Sequence, residues 1–121
     1  MWRPFHMIGL ETNTSILSAT LRNEPTGSSL MWNGDAVATA KHDLFTGEIL
    51  DGEGGFCVWA KAIPAKLSSR INALPIGLAH NVKLKNPVKK DGIVKIDDVE
   101  LVNVDDIISY RKKMQSLLVK D

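Results

Sequence analysis

Apolar and basic residues alternate through the second half of the chain. Three apolar residues are each followed by a lysine, in the pairs Val82-Lys83, Leu84-Lys85 and Val88-Lys89. Alternation with a period of two predicts a β-strand that buries one face and exposes the other. We interpret the lysine face as a solvated strand face, where it would also discourage pairing with another sheet edge.

Short apolar runs predict further strands on both sides of this segment. They lie at residues 37–40, 56–60, 93–96 and 99–102, and the run at 56–60 is predicted to be buried. Glycine-containing turns separate them, at 45–48 and at 51–55. Glycine takes a positive φ at little cost, so both stretches are predicted turns.

Helical spacing of apolar residues predicts a helix on each side of the strands. Thr12 or Asn13 fits an N-cap, and apolar residues then share one face as far as about residue 23. Residues 2–10 are predicted to be extended, because Pro4 biases the residue before it away from the helical region. A second apolar stripe predicts a helix from about 105 to 118. Pro64 fits the first position of a further short helix within 61–73.

One stretch of the chain occurs twice. Residues 40–50 read AKHDLFTGEIL and residues 84–94 read LKNPVKKDGIV, at a constant offset of 44 residues. The aligned pairs are Lys41/Lys85, Leu44/Val88, Ile49/Ile93 and Leu50/Val94. A repeat of this length cannot bury its apolar face alone, so the copies are predicted to pack together about a pseudo-twofold axis. Asp91 replaces Gly47 in the second copy, and its turn is predicted to differ in geometry.

The repeat resembles a known family, the SAF domain. The resemblance rests on the first-copy motif Lys-x-x-Leu-x-x-Gly-Glu-Ile-Leu, on Gly77-Leu78-Ala79 and on the stretch at 88–99. The family includes type III antifreeze proteins, the C-terminal domain of sialic acid synthases and flagellar P-ring chaperones. The resemblance implies a mostly β fold with flanking helices (α+β). The SAF-like β-clip would occupy residues 36–102. An N-terminal segment, helix and linker would occupy 1–35, and a C-terminal helix 103–121.

The flanking motifs narrow the resemblance. Residues 3–12, 51–55 and 74–79 are similar to the C-terminal part of homoserine-dehydrogenase-like oxidoreductases, some described as 1-deoxy-D-xylulose 5-phosphate reductoisomerase-like. In those proteins an NAD(P)-binding Rossmann domain comes first. The resemblance implies a domain that is non-catalytic alone and that shapes or covers an active site or forms a subunit interface. NAD(P) is implied only for the Rossmann domain, because this sequence shows no nucleotide fingerprint.

Two other classes of function stay open. One is a stand-alone module that binds a small polar ligand of sugar-acid type, and the other is a pure assembly domain. The net charge of +1 gives no indication of a nucleic acid or a membrane surface as partner. The single cysteine, Cys57, allows neither an intrachain disulfide nor a cysteine-based metal site, and we interpret it as a small buried hydrophobe. Cysteine usage, with no recognisable leader or spanning segment, predicts a cytoplasmic protein.

Six polar residues are candidate ligand-binding positions: Arg3, His6, Glu11, Asp51, Glu53 and His80. By the resemblance, the first three lie in a segment that adjoins the catalytic domain, although hydrogen bonding between domains would explain them equally. The next two stand on the glycine-rich loop, which either faces a ligand or is structural. No catalytic, cofactor-binding or metal-ligating residue is assigned. His42 is interpreted as solvated, and the three histidines are too scattered along the chain for a zinc site.

Apolar faces at residues 2–23 and on the predicted helix at about 105–118 predict self-association. Exposed apolar surface marks an interaction site, and a symmetric dimer buries the same patch twice. We therefore expect a homo-oligomer, or a complex with a dinucleotide-binding catalytic domain. The residues expected at the contact are Trp2, Phe5, Ile16, Leu17 and Leu21.

Overall fold

The computed structural model describes residues 7–27, 31–102 and 105–118. The chain divides into two compact units, Met1–Leu30 and Met31–Asp121. The second unit contains two antiparallel sheets, and helices occur in both units. The expected α+β class is therefore confirmed, but the expectation that the fold is mostly β is wrong, because more of the described residues lie in helices than in strands.

The first unit is a helix, α1, at Ile8–Leu17 that continues into a π-helical turn at Ser18–Arg22. Asn23 ends it in the left-handed conformation, with φ 56°. The predicted helix is confirmed, but it begins earlier, so the extended prediction is wrong for residues 8–10. Pro4 restricts only the residue directly before it, and nothing opposes a helix from residue 8 onward. The rest of the extended prediction lies largely outside the described residues.

The second unit is built on two small sheets. In the first, β1 at Gly34–Ala40 pairs along its length with β3 at Val58–Pro64. In the second, β4 at His80–Leu84 lies between β2 at Ile49–Asp51 and β5 at Val99–Glu100. Helix α2 occupies Ala65–Ile71, and helix α3 occupies Asp105–Leu118 as predicted.

Four local predictions need correction. The strand predicted at 93–96 does not form, because Ile93 and Lys95 make only isolated bridges and a 3₁₀ turn occupies Ile96–Asp98. The strand predicted at 56–60 begins only at Val58, and Phe56 is 75% exposed because it belongs to the preceding loop. Pro64 ends β3 and precedes α2 instead of occupying its first position. The last strand stops at Glu100, because only its first two residues pair with β4.

The main core lies where the two copies of the repeat meet. Its buried residues are Ala38, Ala40, Leu44, Leu50, Cys57, Val58, Leu74, Ala79, Val82, Leu84, Val88, Val94 and Val99. Val82 and Leu84 are buried while Lys83 and Lys85 are exposed, as the alternation predicts. A smaller cluster of Val37, Ile63 and Ala73 lies beside α2 residues Leu67 and Ile71.

The two copies are joined at equivalent residues. Leu44 and Val88 exchange backbone hydrogen bonds, with N···O distances of 2.8 and 3.0 Å. Leu84 N–H donates to the Glu48 carbonyl at 2.8 Å, and its equivalent Ala40 donates to Gly92 at 2.9 Å. A twofold axis through the Leu44–Val88 pair would generate this pattern, because each bond has its counterpart 44 residues away.

The turns of the two copies have the same hydrogen bonds. Glu48 N–H donates to Phe45 at 3.1 Å, and Gly92 N–H donates to Lys89 at 2.9 Å. Gly47 and Asp91, which are equivalent, both have positive φ, at 90° and 64°. The expectation of a different second turn is therefore wrong, because an aspartate tolerates the left-handed region that most residues avoid.

The copies differ in how they bury their final apolar pair. Leu50 and Val94 are both fully buried. Ile49, however, is 60% exposed, whereas Ile93 is half-buried beside the smaller core cluster. The expectation that these two isoleucines share a buried environment is wrong. Ile49 points away from the core because the next residue along β2, Leu50, points into it.

A buried ion pair joins helix α3 to β1 within the second unit. Arg111 donates to the Asp35 carboxylate on β1, and their side chains are 12% and 9% exposed. Ser68 of α2 donates to the same carboxylate. The Arg111 guanidinium carbon lies 4.9 Å from the ring centroid of Trp32, a cation–π distance. Three separate elements therefore meet at one carboxylate.

Candidate functional site

The loop between β2 and β3 is organised by the carboxylate of Asp51. This carboxylate accepts hydrogen bonds from the backbone N–H groups of Phe56 and Cys57, the latter at 3.0 Å. Partial burial raises the pKa of Asp51, but these hydrogen bonds outweigh it and hold that pKa below its ordinary value. A side chain at Gly55 would collide with the carboxylate, so the loop requires glycine there.

The same loop is fixed at two further points. His80, at the start of β4, lies with Nδ1 3.1 Å from the Asp51 carbonyl oxygen and packs against Gly52. The Lys41 ammonium donates to the Gly55 carbonyl. Gly52 and Gly54 have φ of 78° and 77°, as expected for a structural loop. The Asp51 carboxylate is therefore occupied by its own loop and is a poor ligand for anything else.

We expect Asp51→Asn to lower the free energy of unfolding by about 1.5–3 kcal/mol. An amide cannot accept both N–H bonds with equal strength, and its NH2 group would oppose one of the donors. Because the folded-state pKa is depressed, this stabilisation is complete above the unfolded pKa of about 3.9. It is lost as the pH falls through the folded-state pKa, so the variant should lose part of the wild-type acid dependence.

Urea unfolding between acidic and neutral pH measures both effects. Glu53→Gln is the matched control, since Glu53 lies exposed on the same loop and should leave stability unchanged. Equal stability of the Asp51→Asn and Glu53→Gln variants at neutral pH would show that the carboxylate does not organise the loop.

The structure brings together only part of the predicted ligand-binding set. Asp51 and His80 are neighbours, and Glu53 is on the same loop with its side chain in solvent. Glu11 is half-buried on α1 in the first unit. Arg3 and His6 lie outside the described residues. The predicted set therefore stays a prediction as a site, and the contacts of Asp51 are structural.

A second group of polar side chains converges where no site was expected. One ligand atom from each of His42, Glu48 and Cys57 lies within 4.8 Å of the others. His42 is half-buried with its Nε2 atom shielded from solvent, so its interpretation as a solvated residue is wrong. Cys57 is 8% exposed, which confirms the prediction that it is buried. Burial, then the negative charge of Asp51, raises the pKa of the Cys57 thiol.

Sequence reasoning missed this cluster because its members come from two separate turns. His42 and Glu48 flank the first-copy turn, and the Asp51 loop then returns Cys57 to them. The signal in the sequence was the position of His42 and Glu48 in the first copy, where the second copy has Asn86 and Gly92. Chain spacing alone gives no indication that Cys57 joins them.

Large apolar side chains surround the cluster on the surface. Phe56 is 75% exposed, and its ring lies 4.7 Å from the His42 ring. Phe45, whose N–H donates to Glu48, is 67% exposed, and Ile49 follows Glu48 along the chain. Exposed apolar groups beside polar ones are typical of surfaces that contact another molecule.

Comparisons with known proteins add no identification. No protein-family model matches the chain, and no curated protein matches it. Within the described residues, no helix is both long and apolar enough to cross a membrane.

Proposed function

We propose that the chain is an SAF-like β-clip domain that serves as a C-terminal accessory part of an NAD(P)-dependent, homoserine-dehydrogenase-like oxidoreductase. The observation that supports the architecture is the exchange of equivalent hydrogen bonds about Leu44 and Val88. A β-clip with pseudo-twofold symmetry requires such an exchange. The family motifs at residues 41–50 and 88–99 lie on the strands and turns that make it.

In this proposal the chain is non-catalytic alone. Dinucleotide sites of the Rossmann type lie at the carboxyl edge of a parallel sheet, where a glycine-rich turn opens a helix. The strand pairs described here are antiparallel, and no glycine-rich fingerprint occurs in the sequence. NAD(P) would therefore bind the separate Rossmann domain. The β-clip chain would cover the active site of that Rossmann domain or join subunits.

Exposed apolar residues on α1 and on the π-helical turn that continues it support a role in assembly. Ile16, Leu17 and Leu21 are 53%, 54% and 78% exposed. Trp2 and Phe5, also expected at the contact, lie outside the described residues. A short helix with this much exposed apolar surface gains stability from covering it, through a second copy or a catalytic partner.

We expect the isolated chain to self-associate through α1. Burying one leucine side chain contributes about 1.5–3 kcal/mol, so Leu17→Ser with Leu21→Ser should weaken association at least about tenfold. Light scattering at several concentrations measures the mass, and Thr14→Ala on the same helix is a polar control. A wild-type chain that stays monomeric at high concentration would remove the assembly role.

Calorimetric titration of the isolated wild-type chain tests the accessory role by measuring ligand binding. NADH and NADPH are expected not to bind the isolated chain, and micromolar binding of either would contradict the proposal. A sugar acid such as N-acetylneuraminate is the third titrant. Its retention without cofactor binding would favour the alternative, a stand-alone module for small polar ligands.

A further inference from the structure

The three side chains of the His42–Glu48–Cys57 cluster offer one nitrogen, one oxygen and one sulfur atom. Their ligand atoms lie within 4.8 Å of one another. Zinc binds such atoms at 2.0–2.3 Å in a tetrahedron, which places the ligand atoms about 3.3–3.8 Å apart. A shift of about 1 Å in the side-chain ends would therefore bring all three into bonding distance of one ion.

The imidazole of His42 has one nitrogen near a backbone carbonyl and one nitrogen without a partner in the described part of the chain. Its Nδ1 atom lies 3.0 Å from the backbone carbonyl oxygen of Asp43. A proton on Nδ1 that donates to this carbonyl leaves Nε2 with a free lone pair, the arrangement common in metal-bound histidines. Nε2 is shielded from solvent and has no hydrogen-bond partner among the described residues. A buried nitrogen without a partner carries a free-energy penalty that a bound cation would relieve.

The other two side chains are also held in place. Glu48 Oε2 accepts the Phe45 N–H at 2.8 Å, which fixes the carboxylate and leaves its second oxygen for a ligand. The Cys57 sulfur lies 3.7 Å from the Ile49 carbonyl oxygen, a weak contact that a thiol readily gives up. The Phe56 ring covers His42 from the side. The cluster is therefore partly preorganised before any ion arrives.

The fold itself does not require these side chains. The second copy forms the same backbone hydrogen bonds with Asn86 in place of His42 and Gly92 in place of Glu48. The Asn86 amide there donates to Asp98 at 3.2 Å. A polar cluster that occurs in one copy only, with one buried nitrogen left unpartnered, is better explained by a ligand than by the scaffold.

We infer that His42, Glu48 and Cys57 form a binding site for a zinc-class divalent cation, with a fourth position open to water or to a partner's side chain. The ligand set of imidazole, thiolate and carboxylate suits zinc or cobalt and is unsuited to calcium or magnesium, which take oxygen ligands. On binding, the thiol S–H bond breaks, its proton passes to solvent, and the sulfur bonds the ion. The inference does not depend on the proposed oxidoreductase role. It runs against the expectation from the sequence that Cys57 could not serve a metal site, because His42 and Glu48 supply the remaining ligand atoms.

Cobalt binding to the full chain tests the site directly. One cobalt ion per chain is expected, with a thiolate-to-cobalt charge-transfer band that zinc abolishes by displacement. Loss of an outer partner commonly weakens a metal site 10–100-fold, so loss of a ligand should weaken zinc binding by at least about 100-fold. Cys57→Ser should remove the band, and His42→Gln should give the same loss of affinity without altering the buried thiol.

Glu100→Gln is the matched control, since Glu100 is exposed on β5 and lies outside both the cluster and the Asp51 loop. Circular dichroism of each variant shows whether it folds. Full binding by both His42→Gln and Cys57→Ser would overturn the inference, as would an equal loss of binding in Glu100→Gln. A wild-type chain with no charge-transfer band at excess cobalt would overturn it as well.

Discussion

Replacing Asp35 with alanine is expected to lower the free energy of unfolding by about 3–5 kcal/mol, the usual loss when one partner of a buried ion pair is removed. The Asp35 carboxylate accepts hydrogen bonds from Arg111 on α3 and Ser68 on α2. Alanine would leave the Arg111 guanidinium, only 12% exposed, without its counter-charge. Urea unfolding followed by far-ultraviolet circular dichroism measures the loss.

Two further variants separate the ion pair from general damage. Arg111→Met combined with Asp35→Ala removes both charges, and the double variant should be more stable than Asp35→Ala alone. Arg22→Met removes one partner of an exposed pair whose side chains are 74% and 55% accessible, and should have no measurable effect. A loss from Asp35→Ala as small as that from Arg22→Met would show that this pair does not hold α3 in place.

Leu44→Ala is expected to destabilise the second unit by about 2–5 kcal/mol, as for other large-to-small changes in a core. Leu44 is 1% exposed and belongs to the main core at the point where the two copies exchange hydrogen bonds with each other. Its backbone partner Val88 belongs to the same cluster. A cavity there would remove packing from both copies at once.

Ile49→Ala is the matched control in the same copy. Ile49 is 60% exposed, so its truncation should change stability by no more than about 0.5 kcal/mol. Leu44→Ala and Val88→Ala should be non-additive in combination, because contacting residues share one cavity. Equal losses from Leu44→Ala and Ile49→Ala in thermal or urea unfolding would contradict the placement of the core.

The spacing of apolar residues and the internal repeat were enough to predict the main elements of the second unit. The alternation around Val82 and Leu84 predicted β4, and the repeat predicted that the two copies pack together, as they do at Leu44 and Val88. The C-terminal helix followed from its apolar stripe. These features depend on the spacing of apolar residues and on an internal repeat, and both can be read directly from the sequence.

Features that depend on loop geometry were not predictable. The exposure of Phe56 depends on the course of the Asp51 loop between β2 and β3, and no pattern in the sequence records this. The convergence of Cys57 with His42 arises from the same loop, through two N–H bonds to one carboxylate. The left-handed Asp91 was missed because a single aspartate fits several turn types equally well.

The shared hydrogen bonds of the two copies also bear on synthesis of the chain. In the first copy the backbone N–H groups of Ala40, Leu44 and Gly47 donate to carbonyls within residues 84–92. Until a ribosome has made those residues, the first copy has unpaired strand edges of the kind that attract other chains. The domain therefore depends on the second copy emerging promptly, and a chain cut short between the copies would be prone to aggregate.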